Sequence, residues 1–226
     1  MLGFAWRTYK TNLLSIEKDS GLLAFGCKVN DGPVQVYSRR QFTERQLVKK
    51  LWKYFNDNDV LIAHNCDRFD VRKANALFIR YGLKPPQPYK TVDTLKIARR
   101  VGAFDSNRMD YLTNMLFGEG KIGTDLKLWL DCMKGDKKAL KEMERYCSKD
   151  VSLLEKLYKE LRAWHTGHPN SNLYHGTTHN CRVCQSKKTM KRGFSYTKVG
   201  IYQRWQCKDC GAWSQGEKIN KEKVLK

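Results

Sequence analysis

Two stretches of the sequence place carboxylates where they could hold a metal ion. Asp70 closes the stretch AHNCDRFD (63–70), which follows a short apolar strand and opens a helix. Tyr146 and Asp150 stand four residues apart in a long helical segment, so both project from one helix face. Two-metal hydrolysis of a phosphodiester needs several carboxylates in one site, and oxygen ligands select Mg²⁺ or Mn²⁺. Asp70 and Asp150 fit as ligands of these ions, and Tyr146 fits as the group that orients the attacking water.

The same residues also have purely structural interpretations. Asp70 could be a favourable charge at a helix N-terminus. Tyr146 and Asp150 could be an ordinary pair at the edge of a core. Each motif taken alone favours these structural interpretations, so the catalytic one depends on finding the motifs in combination.

A second kind of chemistry lies near the end of the chain, in two CxxC pairs. Cys181 and Cys184 are followed, after 22 residues, by Cys207 and Cys210. Each CxxC pair can form a tight turn, or knuckle, whose two thiolates bind one ion. Two knuckles complete a tetrahedral four-thiolate site of the kind that binds structural Zn²⁺. Iron in the same cage, or two separate redox pairs, would use the same spacing. The folding of so small a module would depend on its metal.

Basic and aromatic residues alternate between the two CxxC pairs. Cations there can contact phosphates and aromatic rings can stack on bases, although some of the rings must also form the small core of the module. The net charge of the chain is +20, and residues 166–226 alone contribute +9. This balance favours nucleic acid as a partner over an anionic membrane surface or a mere solubility charge. The residues of this segment expected to contact nucleic acid are Lys191, Arg192, Lys198, Tyr202 and Arg204.

Hydrophobic periodicity predicts the elements that carry these residues. Two strands joined by the turn at 30–32 precede a helix whose capping box is Thr43 and Gln46. A buried strand, a helix from Asp70, another strand ending at Asp93 and further helices follow, in the order β-β-α-β-α-β-α-α. This order predicts an α/β domain with helices covering a mixed sheet. We expect this domain over residues 1–165, a linker over 166–179 and a four-cysteine zinc ribbon with a basic tail over 180–226.

In combination, these motifs resemble the DnaQ-like (DEDD) 3′–5′ exonucleases, which have a ribonuclease-H-like fold. The resemblance is closest to the phage and prokaryotic type with a C-terminal zinc ribbon. Its matching stretches are AHNCDRFDVRKANALFIRYGL, PYKTVDTLKIARR, LWLDCMKGD, YCSKDVSLLEKLYKELRAW and KRG…YQRWQCKDCG. The resemblance implies that Asp70 and Asp150 are metal ligands and that Tyr146 positions the nucleophilic water. His64, Asn65 and Phe69 belong to the first matching motif and are expected to lie at the nucleic acid.

One part of the family pattern has no counterpart in the sequence. The family begins with a buried strand ending in Asp-x-Glu, and that strand supplies the other two carboxylates. The nearest candidates here are Glu17 and Asp19, which stand in reversed order just before a predicted strand. A truncated chain, a strand supplied by a separate polypeptide, or a rearranged fold that only binds nucleic acid would each account for this difference.

Two functions therefore remain open. One is a metal-dependent 3′–5′ exonuclease that acts on DNA or RNA. The other is a non-catalytic DNA- or RNA-binding protein that uses the zinc ribbon and its basic surface. No run of the sequence is long and apolar enough to span a membrane, and the N-terminus lacks the features of a signal peptide. We expect a cytoplasmic protein, in a bacterium or a phage-infected host cell.

Overall fold

The structure is a computed structural model that describes residues 1–7, 21–176 and 180–219. The chain divides into two compact units, unit 1 over Met1–Tyr158 and unit 2 over Lys159–Lys226. The division lies a few residues before the boundary expected from composition, within a long helix. No helix in the described ranges combines the length and the apolar character needed to cross a membrane.

The described part of unit 1 contains five strands. Three of them, β1 (Leu2–Arg7), β2 (Gly21–Cys27) and β3 (Gln35–Ser38), form an antiparallel sheet in the order β1-β2-β3. The other two, β4 (Val60–Ala63) and β5 (Lys90–Asp93), pair in parallel, with Ala63 opposite Asp93. Because parallel strands end at the same sheet edge, this pairing brings the segment after β4 beside the start of the helix that follows β5.

Strand β1 corrects the expectation that unit 1 lacks a first strand. Leu2 pairs with Cys27 and Arg7 with Gly21, and β1 also lies alongside β4. It is therefore a common neighbour for the β2–β3 hairpin and the parallel pair. Its sequence, LGFAWR, contains neither Asp nor Glu, so the strand contributes no carboxylate. The other candidates, Glu17 and Asp19, lie outside the described residues.

Unit 1 also has six α-helices within residues 1–7 and 21–158, the ranges in which its structure is described. They are α1 (Glu44–Asn56), α2 (Asp70–Arg80), α3 (Thr94–Val101), α4 (Met109–Phe117), α5 (Leu126–Lys134) and α6 (Lys137–Leu161), the last continuing into unit 2. The capping box predicted for α1 is confirmed, because Thr43 accepts from the backbone N–H of Gln46 and the Gln46 side chain accepts from that of Thr43. Asp93 caps α3 by accepting from the Leu95 N–H at 3.0 Å.

The core of unit 1 surrounds β2, in which all seven residues are buried. Helix α1 packs against this strand, and Phe55 of α1 makes an edge contact with Phe78 of α2. A second cluster joins β1 and β2 to α5 and α6; it consists of Ala5, Leu23, Ala24, Leu128, Cys132, Ala139, Leu140, Met143 and Cys147. A strand covered on both faces is expected to be a continuous apolar run, as GLLAFGC is.

A pair of glycines brings α6 close to the sheet. Gly3 of β1 and Gly26 of β2 are directly opposite each other. A Cβ atom at Gly26 would lie 3.0 Å from both the Cys147 carbonyl oxygen and Val151 Cγ2, and one at Gly3 would lie 3.3 Å from Val151 Cγ2. The side-chain-free patch therefore lets this part of α6 rest almost directly on the strand backbones.

Unit 2 contains a short helix, α7 (Ser171–His175), and a three-stranded antiparallel sheet. Its strands are β6 (Thr189–Thr197), β7 (Gly200–Cys207) and β8 (Trp213–Ile219), with β7 in the centre. Helix α7 falls within the segment predicted as a linker. Asn170 caps it by accepting from the Asn172 N–H at 3.1 Å, which shows that the polar residues read as linker also serve as helix caps.

Candidate active site and four-cysteine site

The three predicted catalytic residues line one small pocket of unit 1. Asp70 opens α2, and Tyr146 and Asp150 lie one helical turn apart on α6. The pocket has a volume of about 150 Å³, and its wall consists of Leu2, Gly3, Phe4, His64, Asp70, Met109, Lys121, Tyr146, Asp150 and Leu154. The pocket therefore brings together residues that are far apart in the sequence of unit 1. Strand β1 contributes only apolar side chains and backbone to its wall.

Asp150 is the most distinctive group in the pocket. It is only 6% exposed, and its Oδ2 accepts from Lys121 Nζ at 2.7 Å. Its other oxygen, Oδ1, is buried and has no hydrogen-bond partner among the described residues. Burial raises the pKa of Asp150, and the attraction of Lys121 opposes this rise. A buried carboxylate oxygen without a partner is costly, so the pocket is suited to a further cation or donor.

Tyr146 and Lys121 complete this cluster. Lys121 Nζ lies 3.3 Å from the Tyr146 hydroxyl and 5.3 Å from the centre of its ring. Burial raises the pKa of Tyr146, so the phenol remains protonated at neutral pH and can donate a hydrogen bond. Burial alone would lower the pKa of Lys121, but the neighbouring Asp150 outweighs it and the pKa is raised. The lysine is therefore a fixed positive charge in the pocket.

His64 lines the pocket but is fully engaged in structural hydrogen bonds. Its Nε2 lies 3.1 Å from the Asn107 carbonyl oxygen, and its Nδ1 lies 2.9 Å from Thr94 Oγ1. Because a carbonyl only accepts, Nε2 carries the proton and Nδ1 accepts from the threonine hydroxyl. Burial lowers the pKa of His64 to about 4, so the ring is neutral at pH 7. These bonds leave it no free nitrogen for proton transfer.

The other two residues predicted at this motif lie outside the pocket. Asn65 has a left-handed backbone with φ of 63°, and its N–H donates to Asp93 Oδ1 at 2.8 Å. This bond ties the segment before Asp70 to the end of β5. Phe69 is 43% exposed, and Lys73 Nζ lies 4.5 Å from the centre of its ring. Asn65 thus has a positioning role, while Phe69 offers an exposed ring.

Lys121 is the pocket residue that the sequence did not reveal. It is one of 43 Lys and Arg residues, in a segment without helical or strand periodicity. Its position is set by its backbone N–H, which donates to Asp110 Oδ1 at 2.6 Å. Gly120 permits this approach, because a Cβ there would lie 3.1 Å from the same oxygen. Only the flanking glycines of GKIG (120–123) could have suggested a special backbone at this position.

The donor set of the pocket suits one divalent cation better than two. The carboxylates of Asp70 and Asp150 are oxygen donors of the type that Mg²⁺ and Mn²⁺ prefer. In the described ranges, no third His, Cys, Asp or Glu joins them in a cluster of metal-binding geometry. Lys121 already neutralises one oxygen of Asp150. Two ions would need additional carboxylates.

The four cysteines of unit 2 form a compact tetrahedral cluster. Their Sγ atoms all lie within 4.8 Å of one another, with 3.6 Å between Cys181 and Cys210 and 3.7 Å between Cys184 and Cys207. A metal–sulfur bond of about 2.3 Å implies an S–S separation of about 3.8 Å in a tetrahedron. A disulfide would need about 2.05 Å. The close pairs join the two knuckles, which favours one shared ion over two separate redox pairs.

The two knuckles have the same backbone turn. The Gln185 N–H donates to the Cys181 carbonyl at 2.9 Å, and the Gly211 N–H donates to that of Cys207 at 3.1 Å. Both of these following residues are left-handed, with φ of 63° and 75°. Burial raises the pKa of Cys184 to about 11. A bound cation would therefore be needed to keep this thiol ionised at neutral pH.

The predicted nucleic-acid contacts of unit 2 divide between different surfaces of its sheet. Lys191 is opposite Trp205, and its Nζ lies 5.5 Å from the centre of the indole ring. The neighbouring β7 residue Arg204 instead lies over Trp213 at 4.6 Å and donates through Nε to the Arg192 carbonyl. Tyr202 pairs with Ser195 and Lys218, and Lys198 lies in the exposed β6–β7 turn. The five residues therefore lie on more than one surface of the sheet, and their contact with nucleic acid stays a prediction.

Comparisons with known proteins agree with the fold of unit 1. The sequence matches the RNase H superfamily over residues 13–162. The structure is similar to that of the family B DNA polymerase from the hyperthermophilic archaeon Pyrobaculum calidifontis, with a TM-score of 0.52 and 13% identity over 82% of this chain. The match spans 29% of the polymerase chain. A search of curated proteins gives no significant match. The RNase H match covers more than half of the sequence, and the chain belongs to the RNase H superfamily.

Proposed function

We propose that this protein is a metal-dependent nuclease of the 3′–5′ exonuclease type, with its active site in the pocket of Asp70, Tyr146 and Asp150. The observation that carries the proposal is the buried Oδ1 of Asp150, which has no hydrogen-bond partner among the described residues and belongs to a side chain that lines the same small pocket as Asp70. Two carboxylates, a protonated phenol and a fixed ammonium in one pocket form a suitable environment for a phosphodiester. Membership of the RNase H superfamily supports nucleic acid as the substrate.

The residues of the pocket have distinct roles in this proposal. Asp70 and Asp150 would hold a divalent ion, which supplies Lewis-acid stabilisation of the phosphate charge. The Tyr146 hydroxyl, 3.3 Å from Lys121 Nζ, orients a water molecule or a phosphate oxygen by hydrogen bonding. The Lys121 ammonium stabilises negative charge that develops on the phosphate. His64 remains neutral and holds the wall of the pocket in place.

Hydrolysis with two ions would need carboxylates beyond this pair. In our proposal they come from Glu17 and Asp19, because β1 already lies between β2 and β4, where a first strand supplied by a separate polypeptide would have to pair.

The decisive assay follows cleavage of a 5′-labelled single-stranded oligonucleotide with Mg²⁺ or Mn²⁺. Removal of nucleotides from the 3′ end produces a ladder of progressively shorter labelled products. We expect Asp70→Asn and Asp150→Asn to abolish the ladder without unfolding the protein. The matched control is Asp131→Asn on α5, whose carboxylate is partly exposed and lies 3.8 Å from Lys134. Cleavage that persists in both pocket variants would exclude the proposed active site.

A second function, binding of nucleic acid without hydrolysis, is favoured by one observation. The wall that β1 contributes contains no carboxylate, and Lys121 already pairs with Asp150. In that case the folded protein cleaves neither DNA nor RNA. Its affinity for nucleic acid is then unchanged by Asp150→Asn.

We further propose that the four cysteines bind one structural Zn²⁺. Their spacing and tetrahedral arrangement suit a closed site with no position for a reacting ligand. Iron would occupy the same cage, and elemental analysis of the purified protein separates the two metals. Because the sheet of unit 2 has few buried apolar residues, its folding should depend on the ion.

A further inference from the structure

Unit 2 contains a groove between its three-stranded sheet and the segment around α7. Its volume is about 950 Å³, at the upper end of the range of about 300–1,000 Å³ usual for ligand sites. Phe194 and Trp205 contribute aromatic surface from the sheet, and Lys191 and Arg182 contribute positive charge. No catalytic residue proposed above lies in this groove.

The aromatic surface of the groove is built into the strand register. Lys191, Trp205 and Ser214 are opposite one another across the three strands, and Phe194 is opposite Gln203 after an irregularity in β6. Gly216 allows the indole to lie against β8, since a Cβ there would come within 2.7 Å of Trp205 Nε1. Phe194 and Trp205 both remain partly exposed.

The charge of the groove is predominantly positive. Lys191 is exposed, whereas Arg182 is half-buried and donates one bond to the Thr166 carbonyl at 3.2 Å. The buried Nε of Arg182 has no partner among the described residues. Lys218 also lines the groove, and Glu217 is the one acidic residue in its wall. This combination of cations and rings complements a polyanion with planar bases.

Three of the five amide side chains in the groove wall, those of Asn170, Asn172 and Gln203, form hydrogen bonds within the protein. Asn172 Nδ2 donates to the Asn180 carbonyl at 2.8 Å, and its Oδ1 accepts from Gln185 at 3.0 Å. Gln203 Nε2 donates to the Gly193 carbonyl at 2.9 Å. Groups committed in this way do not read the hydrogen-bonding edges of bases. Stacking and phosphate contacts remain, and both tolerate any sequence.

We propose that this groove binds single-stranded nucleic acid with little sequence preference. Bases stack on Phe194 and Trp205, and phosphates contact Lys191 and Arg182. The bases of a duplex are stacked on one another, which leaves their faces unavailable to Phe194 and Trp205, so the rings favour an unpaired strand. The inference rests on the proposed function in taking nucleic acid as the ligand. It adds that the nucleic acid is single-stranded and that it binds in this groove of unit 2.

The test measures binding by fluorescence anisotropy in the full-length, zinc-loaded chain carrying Asp150→Asn, so that cleavage does not interfere. Single-stranded and duplex oligonucleotides of equal length are compared. We expect tighter binding of the single strand, and an affinity for it at least about fivefold weaker in Phe194→Leu, because stacking on an aromatic ring is lost. Lys191→Gln should reduce the slope of log affinity against log salt by about 0.7. Homopolymers of different bases should bind within a few-fold of one another.

The matched control is Lys187→Gln, which removes the same charge from an exposed residue of unit 2 outside the groove wall. Zinc content and circular dichroism establish that each variant is folded, and the conservative Trp205→Phe should retain most of the affinity. Unchanged single-strand affinity in Phe194→Leu, or equal effects of Lys191→Gln and Lys187→Gln, would overturn the proposal. The two proposals can also fail separately. If the native chain shows no cleavage, and Phe194→Leu still weakens binding of the single strand, the groove is supported and the nuclease proposal fails.

Discussion

Replacing Lys121 by Met tests the electrostatics of the proposed active site. The substitution keeps an unbranched side chain of similar length and removes the ammonium that lies 2.7 Å from Asp150 Oδ2. Asp150 is 6% exposed, and its Oδ1 has no hydrogen-bond partner in the part of the chain that the structure describes. The variant therefore leaves a buried carboxylate without its counter-ion. At neutral or higher pH this unpaired charge should destabilise unit 1.

The size of the effect follows from the burial of the pair. Loss of one partner from a buried ion pair costs about 3–5 kcal/mol. The Lys121 side chain is 28% exposed, so we expect the lower end of this range, about 3 kcal/mol. With a urea m-value of about 2 kcal/mol/M for a domain of this size, the midpoint should fall by about 1.5 M. The loss should shrink at acidic pH, because a protonated Asp150 needs no counter-ion.

The assay is urea denaturation followed by circular dichroism at 222 nm, which reports mainly on the helices of unit 1. It is run at pH 8 and pH 5, with and without Mn²⁺. If Asp70 and Asp150 hold a divalent ion, Mn²⁺ at 100 times its dissociation constant for Lys121→Met should stabilise this variant by about 2.7 kcal/mol. The native chain should gain less at the same concentration, because Lys121 competes with the ion for Asp150. The matched control is Lys149→Met, because Lys149 and its partner Glu119 are both partly exposed, so that solvent screens their attraction.

Two results would refute this reasoning. An unchanged midpoint at pH 8 would mean that the Lys121–Asp150 contact is not an essential buried pair. A destabilised variant that gains nothing from Mn²⁺ would mean that the two carboxylates do not form a cation site.

Two further predictions concern other parts of the molecule. The pKa of His64 is lowered from 6.5 to about 4, so stability that is present above pH 6.5 should be lost as the pH falls towards 4, by roughly 3 kcal/mol. His64→Gln should flatten this part of the stability profile of unit 1 in denaturation experiments, and an unchanged profile would contradict the buried, neutral ring. Cys207→Ser should release the metal and unfold the sheet of unit 2, which loss of zinc by elemental analysis and of amide protection in β6–β8 would show. Full retention of zinc would mean that Cys207 is not a ligand.

The sequence predicts those elements well whose signals are local. The capping box of α1, the Asp93 cap of α3 and the long helix α6 are all confirmed, since each depends on residues only a few positions apart. The convergence of Asp70, Tyr146 and Asp150 was also predictable, because it followed from the family pattern. The four cysteines are close in space because two identical turns present them.

Features that depend on distant contacts were not predictable. Lys121 reaches Asp150 across 29 positions of the chain, and no periodic pattern marks it among many lysines. Strand β1 was missed because it carries none of the family's carboxylates, although its backbone pairs as a first strand should. In unit 2, successive side chains of β7 point to opposite faces of the sheet, so Trp205 lines the groove while Arg204 packs against Trp213. Which residue lies on which face depends on the strand register.

The paired glycines under α6 have an evolutionary consequence. Gly3 and Gly26 together set how closely the helix carrying Asp150 approaches the sheet. A side chain at either position would lift α6 near Val151 and widen the space above β1. Relatives with a bulky or acidic residue at one of these positions should therefore show compensating changes at the other or at the facing residues of α6. We expect these positions to covary as one unit when relatives of this chain are aligned.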